Sequence, residues 1–191
     1  MTSGAISGDA PIIRPSRDDD VAAIAAIYGY HVLHGVASFE EIPPTVEEIA
    51  RRRGEIVASG LPYLVAEHAQ GTDGGTDGGR VIGYCYAGLF RPRSGYRFTL
   101  EDSIYIDAAE TGRGIGRLLL EPLLARSTEL GYRQMVAVIG GSDTVPSIRL
   151  HEALGFAPVG VFPAVGFKFG RWIDIVLMQR ALGPGAATLP Q

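Results

Sequence analysis

Apolar residues along this chain switch repeatedly between a period of two and a period near 3.6, and the switches mark its elements. Pro11-Ile12-Ile13-Arg14-Pro15 reads as a short strand, and its prolines place it at a sheet edge. Asp18-Asp19-Asp20 put acids at the positive end of a helix whose apolar positions Val21, Ile24, Ile27 and Tyr28 recur at helical spacing. Thr45-Val46-Glu47-Glu48 is a capping box that opens a second helix, running to about Ser59 before Gly60 and Pro62 stop it. Tyr63–Glu67 and Val81–Ala87 read as an antiparallel pair, and Phe98–Asp107 as a third central strand. A helix follows from about Gly114 to Leu130, with a bend expected at Pro122 and a stop at Gly131. Arg133–Ile139 is the next strand, and Pro146–Leu154 a short helix ended by Gly155. Strands around Phe156–Val161 and Trp172–Gln179 complete the order β-α-α-β-β-β-α-β-α-β-β. A dinucleotide-binding domain would alternate strand and helix more regularly from its start.

Length and composition narrow the picture. At 191 residues with 46% hydrophobic content, one domain with a sizeable core is expected over residues 11–182, flanked by tails at 1–10 and 183–191. A net charge of −4 argues against nucleic acid as a partner, because no basic face compensates for it. Arginines gather instead at Arg91/Arg93/Arg97 and Arg113/Arg117, as small anionic ligands would require. The single cysteine, Cys85, sits in an apolar run and reads as a buried thiol. Met1–Asp9 lacks a cationic segment followed by an apolar one, and no apolar run approaches a membrane span, so a soluble cytoplasmic protein is expected. The Gly/Asp-rich duplication at 71–79 has the composition of a flexible hairpin tip, and two carboxylates without a following Glu do not suit calcium.

Candidate chemistry concentrates where the third central strand meets the next helix. In Glu110-Thr111-Gly112-Arg113-Gly114-Ile115-Gly116-Arg117, glycines alternate with arginines at a helix start. Glycine lets backbone approach a ligand, and the free N–H groups of a helix start favour an anion, so a pyrophosphate is expected here. A nucleoside-triphosphate loop fails because Arg117-Leu118 follows Gly116, and the dinucleotide fingerprint fails because its third glycine would be Arg117 or Leu119. What remains resembles the acetyl-coenzyme A signature Gln/Arg-x-x-Gly-x-Gly/Ala of the GNAT N-acetyltransferases, with Thr111 in place of its first residue.

Alternation along the preceding strand puts Glu101, Ser103 and Tyr105 on one face and Asp102, Ile104 and Ile106 on the other. Glu101 thus projects beside a hydroxyl and a phenol, whereas nothing in the sequence accounts for Asp102 on the apolar face. Thr144, Ser147 and His151 fall on one helical stripe. His31 and His34 lie on the first helix without ligand-type partners at metal spacing, and no metal site is expected.

Four blocks resemble the phosphinothricin acetyltransferase family within the GNAT superfamily, in that family's order. They are Arg91–Ile106, Val136–Gly140, Ser147–Phe156 and Val165–Asp174. The resemblance implies a mixed α/β GNAT fold: a mostly antiparallel sheet flanked by helices. It implies transfer of acetyl from acetyl-CoA to the α-amine of a phosphinothricin-, methionine sulfone- or methionine sulfoximine-like amino acid. Glu101 and His151 match the family's proposed catalytic pair. The backbone of Ile104, Tyr105 and Ile106 should hold the pantetheine arm, and Gly112, Arg113, Gly114, Ile115, Gly116 and Arg117 the pyrophosphate. Thr144 stands where relatives carry an asparagine that contacts CoA, with Ser147 beside it. Arg91 and Arg93 match basic acceptor-site positions, and Phe39 and Tyr96 an aromatic pocket. A homodimer follows from the same resemblance. Two other functions stay open: a GNAT enzyme for another amine (a protein N-terminus or polyamine), and a non-catalytic CoA-binding module.

Overall fold

The computed structural model describes residues 10–68 and 79–190; the duplication at 71–79 falls almost wholly outside them. The element order is the expected one. Strand β1 (Ile12–Pro15) leads through a short 3-10 turn to α1 (Val21–His34) and α2 (Val46–Ala58). Then come β2 (Tyr63–Glu67), β3 (Val81–Leu89), β4 (Thr99–Ile106), α3 (Ile115–Glu129), β5 (Gln134–Gly140), α4 (Val145–Ala153), β6 (Ala157–Lys168) and β7 (Arg171–Ala181). Local chemistry sets several boundaries. Thr45 accepts a hydrogen bond from the Glu48 amide at the start of α2. Gly131 and Gly155 adopt φ +87° and +82° just past α3 and α4. Helix α3 runs through Pro122 without interruption.

The strands form one seven-stranded sheet in the order β1-β2-β3-β4-β5-β7-β6. Every neighbouring pair is antiparallel except β4 and β5, which α3 joins by a crossover. Two cores cover its faces. Beneath α3 and α4 lie Leu119, Leu120, Leu123, Met135 and Met178, all fully buried. Burying each such side chain contributes about 1.5–3 kcal/mol. The opposite face packs Ile24, Val32 and Ile49 of α1 and α2 against Val65, Tyr84 and Tyr105. Tyr105 meets Tyr28 edge-on at 5.1 Å and stacks on Tyr84 at 5.3 Å.

One strand departs from its expected length. β6 continues to Lys168, well past Val161, and its outer face is exposed almost throughout. From Ala157 to Val165 this edge strand is covered on neither side and carries no alternation to read, and Pro163 with the register shift between Phe162 and Gly166 hides it further. Residues 183–190, expected as a tail, turn back over the start of β5. There Arg133 donates to the Gly185 carbonyl at 3.4 Å and the Thr188 hydroxyl at 3.1 Å.

Candidate active site

The site is a split in the sheet. β4 and β5 pair only from Thr99/Gln134 to Asp102/Ala137, and beyond that register they diverge. The Asp107 amide donates to Ile82 and the Phe90 amide to the Thr99 carbonyl, so the odd-numbered residues of β4 bond toward β3. Alternation then turns the backbone of Ile104 and Ile106 toward the gap. The Ile106 carbonyl accepts from His31 Nε2 at 2.7 Å. A cleft of about 750 Å³ opens there, lined by β4, the end of β5, the glycine loop, α4 and residues 35–39. Such an edge can pair with the amides of an extended ligand as it would with another strand.

At one end the glycines act in two distinct ways. Gly112 and Gly114 hold φ +76° and +80°, a region L side chains rarely enter, and Gly114 caps α3. Gly116 instead provides clearance, since a Cβ there would lie 2.8 Å from Leu150 Cδ2. The first intrahelical donors are the Arg117 and Leu118 amides, so the amides of Ile115 and Gly116 stay free for an anion. The exposed guanidinium of Arg113 pairs with Glu110 at 2.9 Å, and that of Arg117 with Glu121 at 2.7 Å. These contacts leave the backbone as the built part of the anion site.

The two carboxylates of β4 have separate surroundings. Glu101 is half-buried on the α1 face and makes no ion pair among the described residues. Burial, then the neighbouring charge of Asp102, raises its pKa, while Arg91 acts in the opposite direction. Asp102 points the other way, where its Oδ2 accepts from His151 Nε2 at 3.0 Å with both side chains 2% exposed. His151 Nδ1 donates to the Ser147 carbonyl at 2.7 Å. Both ring nitrogens therefore face acceptors, which describes an imidazolium. Burial opposes that charge, but Asp102 and the Ser147 carbonyl outweigh it, and the His151 pKa is raised. Sequence reasoning left Asp102 without a role. A carboxylate on an otherwise apolar strand face was itself the signal, since burial requires a partner.

The remaining expected site residues divide in two. Phe39, Glu101, Ile104, Tyr105, Ile106, Gly112, Gly114, Ile115, Gly116, Arg117, Thr144, Ser147 and His151 all line the cleft. Thr144 precedes α4, and its hydroxyl donates to the Gly140 carbonyl at 2.7 Å. Arg91, Arg93, Tyr96 and Arg113 lie outside the lining, the first three on an exposed turn between β3 and β4. Tyr96 packs edge-on against Phe90 at 5.8 Å, and the Arg91 guanidinium stands 4.7 Å over the same ring. His31, set aside by the sequence reading, lines the cleft. Among the described residues no three His, Cys, Asp or Glu side chains converge as metal ligands.

The sequence and the fold are shared with known proteins. Residues 39–156 match the acetyltransferase (GNAT) family. A phosphinothricin N-acetyltransferase of Alcaligenes faecalis is 51% identical over 179 residues, spanning 94% of this chain and 86% of that protein. An L-methionine sulfoximine/L-methionine sulfone acetyltransferase of Salmonella typhimurium is 37% identical, over 92% and 96% of the two chains. A GNAT superfamily phosphinothricin acetyltransferase from Sinorhizobium meliloti, solved in complex with AcCoA, superposes with a TM-score of 0.88. It is 47% identical, with 95% of this chain and 94% of that one covered. Agreement in sequence, fold and coverage leads to one assignment: the chain belongs to the acetyltransferase (GNAT) family.

Proposed function

We propose that this protein transfers the acetyl group of acetyl-CoA to the α-amine of a small amino acid of the phosphinothricin, methionine sulfone or methionine sulfoximine type, by direct transfer in a ternary complex. The observation that carries the reading is Glu101: a half-buried carboxylate without an ion-pair partner among the described residues, on the sheet face opposite α3. Donor and acceptor can then approach the split from opposite faces. Glycine-loop and Ile115–Gly116 amides receive the pyrophosphate, and the free backbone of β4 pairs with the pantetheine arm.

Glu101 accepts the proton of the acceptor ammonium, and its raised pKa suits it to that exchange. The freed amine lone pair forms the N–C bond as the C–S bond breaks, and the second amine proton passes to sulfur. His151 keeps both N–H bonds committed to Asp102 and Ser147, so its ring is held in one orientation at the cleft by that ion pair. Cys85 is fully buried, with its thiol pKa raised by burial, which disfavours a cysteine-bound acyl intermediate. Phe39 lines the acceptor side of the cleft, and the turn that carries Arg91, Arg93 and Tyr96, outside the lining, offers guanidinium groups suited to a carboxylate or phosphinate. The named substrates of the Alcaligenes and Salmonella relatives support this class. A polyamine site would call for carboxylates where this chain carries arginines.

The same reading includes a homodimer acting in the cytoplasm. No helix among the described residues is long and apolar enough to cross a membrane. Edge strand β6 exposes Val159, Val161, Phe162, Val165 and Phe167, with Trp172 of β7 beside them, each at least half exposed. An unpaired edge with so much apolar surface suits a second copy. Sedimentation should give a dimer at micromolar concentration; a monomer would count against it. Thiol release from acetyl-CoA across a panel of amines tests the reaction itself. Turnover should be greatest with methionine sulfone, methionine sulfoximine or phosphinothricin, and turnover with polyamines or peptide N-termini alone would overturn the acceptor class.

A further inference from the structure

Gly35, Val36, Ala37 and Phe39 wall the cleft on the Glu101 face of the sheet, yet this segment has little backbone structure of its own. Among the described residues, no amide or carbonyl of 36–44 bonds to another backbone group outside regular elements. Side chains hold the segment instead. The Tyr105 hydroxyl reaches the Ala37 carbonyl at 3.4 Å, and Ser38 Oγ bonds to Tyr28 at 2.8 Å. Lys168, near the end of β6, contributes most. Its Nζ donates to the Gly35 carbonyl at 2.9 Å and the Ser38 carbonyl at 2.7 Å, and stands 5.0 Å over the Phe169 ring.

Lys168 is 1% exposed, and it makes no ion pair among the described residues. A buried ammonium is costly unless it is hydrogen-bonded, so the two carbonyl contacts are what offset its burial here. Here its donors span both ends of the 35–38 turn. Two residues earlier, Gly166 leaves room for Phe39, since a Cβ there would fall 2.3 Å from the ring. The end of β6 thus sets where Val36, Ala37 and Phe39 stand in the cleft.

We propose that Lys168 is a positioning residue for the acceptor: it pins the 35–39 wall by two backbone carbonyls and fixes the width of the acceptor side. This rests on the acetyltransferase reading above, with the donor bound at the glycine loop. Burial lowers the Lys168 pKa, with Glu41 and Glu40 opposing that shift.

Steady-state kinetics on Lys168→Met and Lys168→Gln, with the acceptor that the parent enzyme uses best, test the assignment. The acceptor KM should rise about tenfold in K168M and less in K168Q, whose amide can still serve one carbonyl. The KM for acetyl-CoA should stay within about twofold, and amide exchange at 36–39 should accelerate. If K168M does not fold, the same split in K168Q decides the matter. Unchanged acceptor KM, or both KM values rising together, would overturn the role of Lys168 while leaving the reaction intact. A parent enzyme inert toward every amino acid would instead remove the functional reading.

Discussion

Glu101 and Asp102 are adjacent in sequence and chemically alike, yet the structure gives them opposite surroundings. Strand alternation sends Glu101 to the α1 face, where it meets the cleft without an ion-pair partner among the described residues. Asp102 goes to the α4 face and is closed in with His151. A buried carboxylate with a cation is a structural ion pair; a half-buried one without a partner retains proton affinity it can use. Their different parts in the protein follow from what packs on each side of one strand rather than from residue type.

The largest test of that contrast is Glu101→Gln, which keeps shape and polarity but cannot take a proton. If Glu101 is the base, kcat should fall ~10²–10⁴-fold with little change in acetyl-CoA affinity, and the residual rate should climb with pH. A variant with near-parental kcat at neutral pH would erase the distinction between the two carboxylates.

Asp102→Asn should act mainly on stability. It leaves His151 buried without its counter-charge, and unfolding in urea should show a loss of about 3 kcal/mol. Removing the Asp102 charge also takes away one of the influences raising the Glu101 pKa. The acid limb of kcat/KM, which falls as Glu101 protonates, should therefore move to lower pH. Failure of that limb to move would show that Glu101 does not set it.

Gly114→Val leaves both carboxylates in place and strains only the cap of α3, where φ is +80°. Acetyl-CoA should bind at least about tenfold more weakly in titration calorimetry while the protein stays folded. Parental affinity would show that the loop is not the donor site.

The smallest effect concerns pH and stability. The folded-state pKa of His151 is raised, so its contribution is complete below the ordinary imidazole pKa near ~6.5 and is lost as pH rises through the folded value. Unfolding midpoints of the parent should decline across that window, and D102N should flatten the decline. An equal slope in both would place the titration elsewhere.

How much of this was legible beforehand depended on whether the signal was local. The Thr45 cap, the glycine stops at 131 and 155 and the alternation along β4 depend on neighbours a few residues away, so the sequence carries them whole. β6 extends beyond the strand expected around Phe156–Val161 because an exposed edge imposes no burial pattern. His31 looked idle because its partner, the Ile106 carbonyl, lies 75 positions along the chain. Asp102 was conspicuous without being intelligible, since His151 comes from a helix 49 positions away.

Element order, the glycine-rich helix start and the family blocks can be read from the residues in order, because periodicity, capping and φ preference are properties of short stretches of chain. Packing between distant elements sets the rest: β4 and β5 separate after Asp102, Asp102 closes on His151 while Glu101 faces the cleft, and Lys168 reaches the 35–38 turn. Those facts depend on which faces of distant elements meet. Burial then makes each meeting consequential, because a charge removed from water must find a partner or shift its proton equilibrium.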